Sequence, residues 1–338
     1  MNLNYVKEIA KWMQSDRPVA EIREELLNYH DRDIAFAIES LDGAARKKAF
    51  QILDEERLAD VFSYFKDPLE YMDEIGMERF AAIVSDMDSD DAVDVLEELD
   101  DATRKRLAPL LQADARKAIR LIRSYDEDEI GSQMTTNFVR ISQGISVKQA
   151  TRSLILQADK NDNINTIYVS DGERHYVGAI DLKDLITARE YDDLEDIIVS
   201  SYPYVFAEEK IDACVDKIKE YAEDSIPVLD EERRIVGVIT ATDITELVDE
   251  EMGEDYAMLA GMTEASDLDE TTFQSMKKRL PWLILLLFLG MGVSSVVGLF
   301  EQVVAQVALI VCFQSLILDM AGNVGTQSLA VTIRILMD

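Results

Sequence analysis

The stretch NTIYVSDGERHYVGAIDLKDLITA, residues 165–188, decides the fold of the middle of this chain. Its first run, NTIYVS, is rich in β-branched and aromatic residues and is the length of one strand. The turn DGERH follows, then a second run, YVGAI at 176–180, then LKDLITA, whose apolar residues recur at helical spacing. The same order returns at 225–248 as SIPVLD, EERR, IVGVIT and TDITELV. A helical pattern precedes each copy, at Val147–Gln157 and at Ile211–Tyr221. Gly178 and Gly237 fall at the same place in the two copies, and Asp184 and Asp243 follow them by six residues. Two copies of strand, turn, strand and helix predict a tandem α/β repeat over residues 131–250.

Upstream, residues 1–130 read as helix after helix. Apolar residues recur at three- and four-residue spacing, as in Ile34, Ile38 and Leu41, or Ala92, Val95, Leu96 and Leu99. SLDGAARKKAFQILDEE from Ser40 resembles DMDSDDAVDVLEELDDA from Asp86, an offset of 46 residues. Phe50 and Leu96, and Leu53 and Leu99, fall in register, and the aspartates at 42/88 and 54/100 are identical. Helical hairpins repeated in this way stack into a superhelix. Two generic amphipathic helices would also match weakly, and the region is all-α on either reading.

Downstream, Trp282–Phe300 is an apolar run of the length that crosses a hydrocarbon core. Lys277, Lys278 and Arg279 precede it and place that end in the cytoplasm, with Trp282 at the interface. A second run, Val303–Leu318, leads back, which predicts a membrane hairpin with both outer ends cytosolic. The expected fold class is therefore multidomain: an all-α helical-repeat N-domain (1–130), the α/β pair (131–250), a linking helix and connector (243–276), and an α-helical transmembrane segment (277–338).

Charge is spread unevenly over these parts. The chain has 338 residues with 34 Lys+Arg against 67 Asp+Glu, a formal net charge of −33. Residues 257–338 hold seven acids and four bases, which leaves 60 acids and 30 bases in the soluble part. Self-repulsion on that scale destabilises a compact state unless counter-ions neutralise it. It excludes a nucleic-acid partner, whose phosphates call for Lys and Arg. It suits Mg²⁺ or Ca²⁺, which take oxygen ligands. Cys214 and Cys312 match no zinc spacing, His30 and His175 are isolated, and no nucleophile–base pair or phosphate loop points to an enzyme. The N-terminus has no apolar signal core, so the soluble part is expected in the cytosol.

The acids concentrate in DITELVDEEMGED, residues 243–255, with seven acidic side chains in thirteen positions. On a helix Asp243, Glu246, Glu250 and Glu254 share one face, and Ile244, Val248, Met252, Tyr256 and Leu259 the opposite one. Glu251 and Asp255 fall near the apolar stripe, where a carboxylate needs a compensating partner. A divalent cation shared with another acidic surface would serve. Mg²⁺ keeps most of its waters and takes one or two carboxylates directly, so it can bridge two such surfaces without a dedicated cage.

Polar residues also interrupt the second apolar run. In LDMAGNVGTQSLAVTIRIL, 318–336, Asp319 is followed by Gly322, Asn323, Gly325 and Gln327 before apolar residues resume. Such groups at membrane depth face a cavity, a pathway or another helix. They suit contact with a hydrated cation, and equally a helix-packing seam.

The pieces VGAIDLKDL and IPVLDEERRIVGVITATDI resemble the cystathionine-β-synthase (CBS) domain pair. That resemblance implies an adenine nucleotide such as ATP as ligand, with Lys183 and Asp184 as its contacts; surface charges capping a helix would read the same way. AGNVGTQS after a membrane hairpin resembles the signature G-G-N-x-G-x-Q-S of the MgtE family of magnesium transporters, with Ala321 in place of one glycine. An acidic helical N-domain, a CBS pair, a linking helix and spans are that family's architecture. The resemblance implies a homodimer in the plasma membrane with cytoplasmic N-terminal domains. It also implies a Mg²⁺ pore whose region includes Gly322, Asn323, Gly325 and Gln327, closed at high cytosolic Mg²⁺ and open at low. It carries the sensing ligands over to Asp60, Asp90, Asp212, Asp243, Glu246, Glu251, Glu254 and Asp255, Asp212 the least securely, because Ala222 stands where a relative is acidic. The family has five spans and this sequence offers two, so a C-terminally truncated form that does not conduct alone is expected. The rival readings are transport of another divalent cation, Co²⁺ or Mn²⁺, and a membrane-anchored CBS nucleotide sensor without transport.

Overall fold

The computed structural model describes residues 3–158, 161, 163–259, 272–300 and 308–337. The chain divides into two units, 1–244 and 245–338.

The first unit begins with ten helices: α1 Leu3–Gln14, α2 Val19–Leu26, α3 Asp31–Glu39, α4 Gly43–Ile52, α5 Glu55–Phe62, α6 Met72–Ile75, α7 Met77–Asp86, α8 Ser89–Glu97, α9 Asp101–Leu107 and α10 Ala113–Ile122. Side-chain caps start several of them, because an aspartate before a helix accepts from its orphan N–H groups. Asp42 caps α4 through Ala45 N, Asp54 caps α5 through Arg57 N, and Asp100 caps α9 through Ala102 N and Thr103 N. Arginines from later helices close the opposite ends. Arg79 donates to the Phe50 and Leu53 carbonyls beyond α4, and Arg104 to those of Leu96, Glu97 and Leu99 beyond α8. An aromatic chain fills the core, with Phe62 4.9 Å from Phe65, Phe65 4.8 Å from Tyr71 and Phe62 5.9 Å from Phe80, centroid to centroid. Phe50 and Leu96, and Leu53 and Leu99, are all buried, so the 46-residue offset relates two helices with the same inward face.

Two three-stranded sheets follow, β1 Val139–Ser142, β2 Thr166–Ser170 and β3 Tyr176–Asp181 in one, β4 Val205–Phe206, β5 Ser225–Leu229 and β6 Ile235–Thr240 in the other. In each, the first strand runs parallel to the second and the second antiparallel to the third. Helices α11 Val147–Gln157 and α13 Ile211–Lys219 make the parallel crossovers; α12 Leu182–Thr187 and α14 Ala241–Leu259 leave the last strands. The opening strands β1 and β4 are the elements that the alternating pattern showed least, because they are only four and two residues long. Helix α13 stops at Lys219, two residues short of the expected end, before Ala222 at φ 51°.

The equivalent glycines mark the places where backbones cross. A Cβ on Gly178 would lie 2.7 Å from the Val199 carbonyl oxygen, and one on Gly237 2.8 Å from that of Thr135. Those crossing segments pair with the strands beside the glycines. Val199 exchanges both backbone bonds with Ala179, and Thr135 exchanges both with Val238. Residue 135 leads into β1 yet pairs with β6, and residue 199 leads into β4 yet pairs with β3. The two modules therefore trade their lead-in segments.

The second unit carries the rest of α14, then α15 Thr272–Leu299 and α16 Ala308–Met337. Leu247 and Ala257 are buried on α14, while Met252, placed on the apolar side by the helical projection, is 40% exposed. Helix α15 starts ten residues before Trp282 and runs through Pro281, so Lys277, Lys278 and Arg279 sit on the helix rather than ahead of it. Its segment Ser275–Leu299 is long and apolar enough to cross a membrane, and among the described residues no other helix meets that test. The second apolar run continues past Leu318 into the polar stretch: α16 is a continuous 30-residue helix through AGNVGTQS. Neither the glycines nor the asparagine interrupts it. Thr326 returns its hydroxyl to the Gly322 carbonyl at 3.0 Å.

Candidate functional site

Asp42 and Asp88 are the same residue of the 46-residue repeat, and the fold uses them differently. Asp42 caps its helix, whereas Asp88 makes no side-chain cap bond to α8. Its Oδ1 instead accepts from Asn137 Nδ2 at 2.7 Å and from Thr135 Oγ1 at 3.4 Å, just before the first sheet. Beside it, Ser89 Oγ lies 2.8 Å from Thr136 Oγ1 and accepts from Thr136 N at 3.0 Å. The start of α8 is thus fastened to the segment that pairs with β6.

Two acids stand at this fastening where the first copy of the repeat has Ala44 and Ala45: Asp90 and Asp91. Asp90 Oδ1 is shut off from solvent with no hydrogen-bond partner. Burial first, then the charges of Asp243, Asp91 and Asp88, push the Asp90 carboxyl up to about 8. Asp91 is also raised by burial, and Ser63 Oγ, donating at 2.5 Å, offsets part of that. Asp243 stands at the start of α14, where it and Thr240 bond reciprocally: Thr240 N donates to Asp243 Oδ2 at 2.8 Å and Asp243 N to Thr240 Oγ1 at 3.3 Å. This capping box fixes the carboxylate in place.

Asp60 is exposed on α5, on the wall of a cavity of about 510 Å³ that Glu56, Asp86, Asp114, Ser89, Thr136 and Asn137 also line. Burial raises Asp86 there as well. Among the described residues, no three His, Cys, Asp or Glu side chains close to metal-ligand distance. The acids offer only oxygen, Asp88, Asp91 and Asp243 act on Asp90 through their charges, and the buried Asp90 Oδ1 has no protein donor. That arrangement fits a cation that keeps its waters better than one stripped of them.

Of the other residues singled out from sequence, Glu246 is exposed on α14 in the second unit. The side chains of Asp212, Glu251, Glu254 and Asp255 lie outside the described residues. Lys183 and Asp184 are exposed on α12. Asp184 does not cap that helix; Asp181 does, through Lys183 N at 2.7 Å. Gly322, Asn323, Gly325 and Gln327 lie on α16, and a Cβ on either glycine would meet nothing within 4 Å. Sequence reading did not single out Asp88, Asp91, Ser89 or Asn137. The signal was present in the repeat, where two alanines of one copy become two aspartates in the other.

Comparison with known proteins gives three concordant results. Residues 29–128 match the family model for the MgtE intracellular N domain, and residues 128–191 and 194–250 that for the CBS domain. The chain is 29% identical over 321 residues to the magnesium transporter MgtE of Bacillus subtilis (strain 168), covering 94% of this chain and 71% of that one. It is 37% identical over 210 residues to the magnesium transporter MgtE of Enterococcus faecalis (strain ATCC 700802 / V583), covering 62% of this chain and 46% of that one. Its fold matches the crystal structure of the soluble part of a magnesium transporter at a TM-score of 0.68 and 28% identity, over 73% of this chain and 98% of that one. It also matches the cytosolic domain of the Mg²⁺ channel MgtE in complex with ATP, at a TM-score of 0.61 and 28% identity, over 68% and 95% of the two chains.

Proposed function

Because this chain belongs to the MgtE family of magnesium transporters, we propose that it serves Mg²⁺ transport across the cell membrane and that its acidic soluble unit is the Mg²⁺ sensor. It is not an enzyme; its relatives are transporters. The single observation that carries the sensor reading is Asp90: a carboxylate shut from solvent, facing three other aspartates, with an oxygen no protein donor reaches.

At low cytosolic Mg²⁺ the charges of Asp88, Asp91 and Asp243 oppose a fourth at Asp90, and as Asp90 gives up its proton the helical part of the unit loosens from the sheets. At high Mg²⁺, Asp90 and Asp243 would hold a hydrated ion, whose charge would offset theirs and keep the unit closed. Closure shuts the pore and loosening opens it. Asp60, Asp212, Glu246, Glu251, Glu254 and Asp255 hold further regulatory ions, and Gly322, Asn323, Gly325 and Gln327 belong to the pore region. The protein works as a homodimer with the unit in the cytoplasm, and ATP binds the CBS pair at Lys183 and Asp184.

The test is protease susceptibility of the full chain in detergent as Mg²⁺ is titrated. Wild type is expected to become resistant at millimolar Mg²⁺, with Asp90→Ala and Asp243→Ala needing at least about tenfold more. Cleavage indifferent to Mg²⁺ would sink the sensor reading. A lower midpoint with Mn²⁺ or Co²⁺ than with Mg²⁺ would reassign the ion.

A further inference from the structure

Arg140 and Arg174 break the symmetry between the two modules. Their hairpin turns correspond residue for residue. Asp171 accepts from His175 N and Asp230 from Arg234 N, each at its Oδ1, and Arg174 and Arg233 take φ of 72° and 62°. In the second module Arg233 lies over the Tyr204 ring, 5.2 Å from its centroid, and donates to the Tyr204 hydroxyl at 3.2 Å. That is a cation satisfied by a neutral aromatic partner.

The strand register shows what replaces the tyrosine in the first module. Arg140 on β1 pairs with Tyr168, whose counterpart on β5 is Pro227. Val205 pairs with Val228, so the residue aligned with Pro227 is Tyr204. Arg140 therefore stands where Tyr204 stands, and the arginine of the first turn meets a second arginine instead of a phenol. Arg140 is half-buried and Arg174 exposed, and neither guanidinium makes a hydrogen bond or ion pair among the described residues. Burial and the charge of Arg174 hold Arg140 below its usual pKa. The nearby acids do not answer the charge: Asp171 is engaged with the turn backbone and His175, and Glu173 is 85% exposed. In a chain with 67 acids to 34 bases, two adjacent cations with no acid paired to them among the described residues mark a place for an anion from outside.

We propose that Arg140 and Arg174 form a phosphoryl-binding site at the turn end of the first module, taking free phosphate or the phosphoryl group of a nucleotide. Planar guanidinium forks match the tetrahedral oxygens of a phosphoryl group, which accepts several charge-assisted bonds at once. The site is separate from the nucleotide contacts proposed at the start of α12, because the whole of β3, roughly 17 Å of strand, lies between them.

The test is calorimetric titration of inorganic phosphate into the full chain in detergent, free of divalent cations and at constant ionic strength held with chloride. Wild type is expected to bind at millimolar phosphate or below. Arg140→Gln and Arg174→Gln should weaken binding by about tenfold or more, the loss of one charged hydrogen bond. Arg140→Lys should keep part of it, and Arg233→Gln should bind as wild type. Arg174 is an exposed turn residue, so its variant remains informative if Arg140→Gln fails to fold. ATP that displaces phosphate assigns the site to a nucleotide's phosphoryl group; ATP that binds without displacing it assigns free phosphate. Absence of phosphate binding to wild type, or wild-type affinity in both Arg140→Gln and Arg174→Gln, overturns the proposal.

Discussion

Asp90 sets the pH behaviour of the first unit. Its folded-state carboxyl titrates at about 8, well above an ordinary aspartate. The folded state therefore binds the proton more tightly than the unfolded state, and the stability gained is full at low pH and lost as pH rises through about 8. A cation does at pH 8.5 what a proton does at pH 6.5. In cation-free buffer the melting temperature is expected to fall between those pH values, and millimolar Mg²⁺ to restore it. Asp90→Asn, which removes the buried charge, should flatten both dependences and stabilise the cation-free protein at pH 8.5 by about 1–3 kcal/mol. Steep pH dependence persisting in that variant would assign the effect elsewhere. The aspartate pair was legible in the sequence only in part. Asp90 came from family resemblance, while Asp88 looked like any helix cap, and only the Asn137 amide reaching it shows that it caps nothing.

Among the elements, the strands beside Gly178 and Gly237 are the ones that tolerate no side chain. An alanine at 178 meets a backbone carbonyl at 2.7 Å, which cannot swing away, and the Ile198 side chain at 2.9 Å. At 237 the nearest atom is the flexible Met134 side chain, with the Thr135 carbonyl behind it. Both substitutions are expected to cost about 1–3 kcal/mol by overpacking, read as a lowered midpoint in urea. Met134→Ala should relieve part of the Gly237→Ala penalty, whereas at Gly178 the nearest atom is a backbone carbonyl that no side-chain change removes. The helices respond to acid instead. Hydrogen bonds from Arg46 to Glu74 and from Arg79 to Glu55 hold both carboxyls below their usual range. Carboxylates depressed in the folded state contribute stability above their unfolded pKa, and that stability is lost as pH falls through the folded value. Arg46→Gln should therefore lower the melting temperature more at pH 7 than at pH 3, and Arg79→Gln should do the same on top of a pH-independent loss of its bonds to the Phe50 and Leu53 carbonyls. The repeated glycine, read from sequence, announced the tandem fold. The short strands β1 and β4 hid because a two- or four-residue run carries too little alternation to register.

At the scale of the whole chain, the start of the membrane segment was more legible in the sequence than its continuation. Apolarity alone located α15, but helix continuity across AGNVGTQS was not legible, since glycine and asparagine are poor helix formers and the sequence alone gives no sign that they are kept in one. The exchange of lead-in segments also escaped sequence reading, because it pairs residues about a hundred positions apart, Thr135 with Val238. It predicts the behaviour of a cut chain. Residues 189–192 lie on the surface between the modules. Protease cleavage there is expected to leave both pieces co-eluting by size exclusion under native conditions and to separate them only in denaturant. Pieces that part without denaturant would show that the exchanged bonds contribute little.

The same exchange bears on how such a chain can be inherited. Each module supplies the backbone that closes the other's last strand, and each keeps a glycine whose bareness makes sense only with that neighbour present. A gene rearrangement that carried off one copy alone would leave an open strand edge on both products. The two copies are therefore expected to be inherited together, and a side chain at 237 is expected only where residue 134 is smaller than methionine.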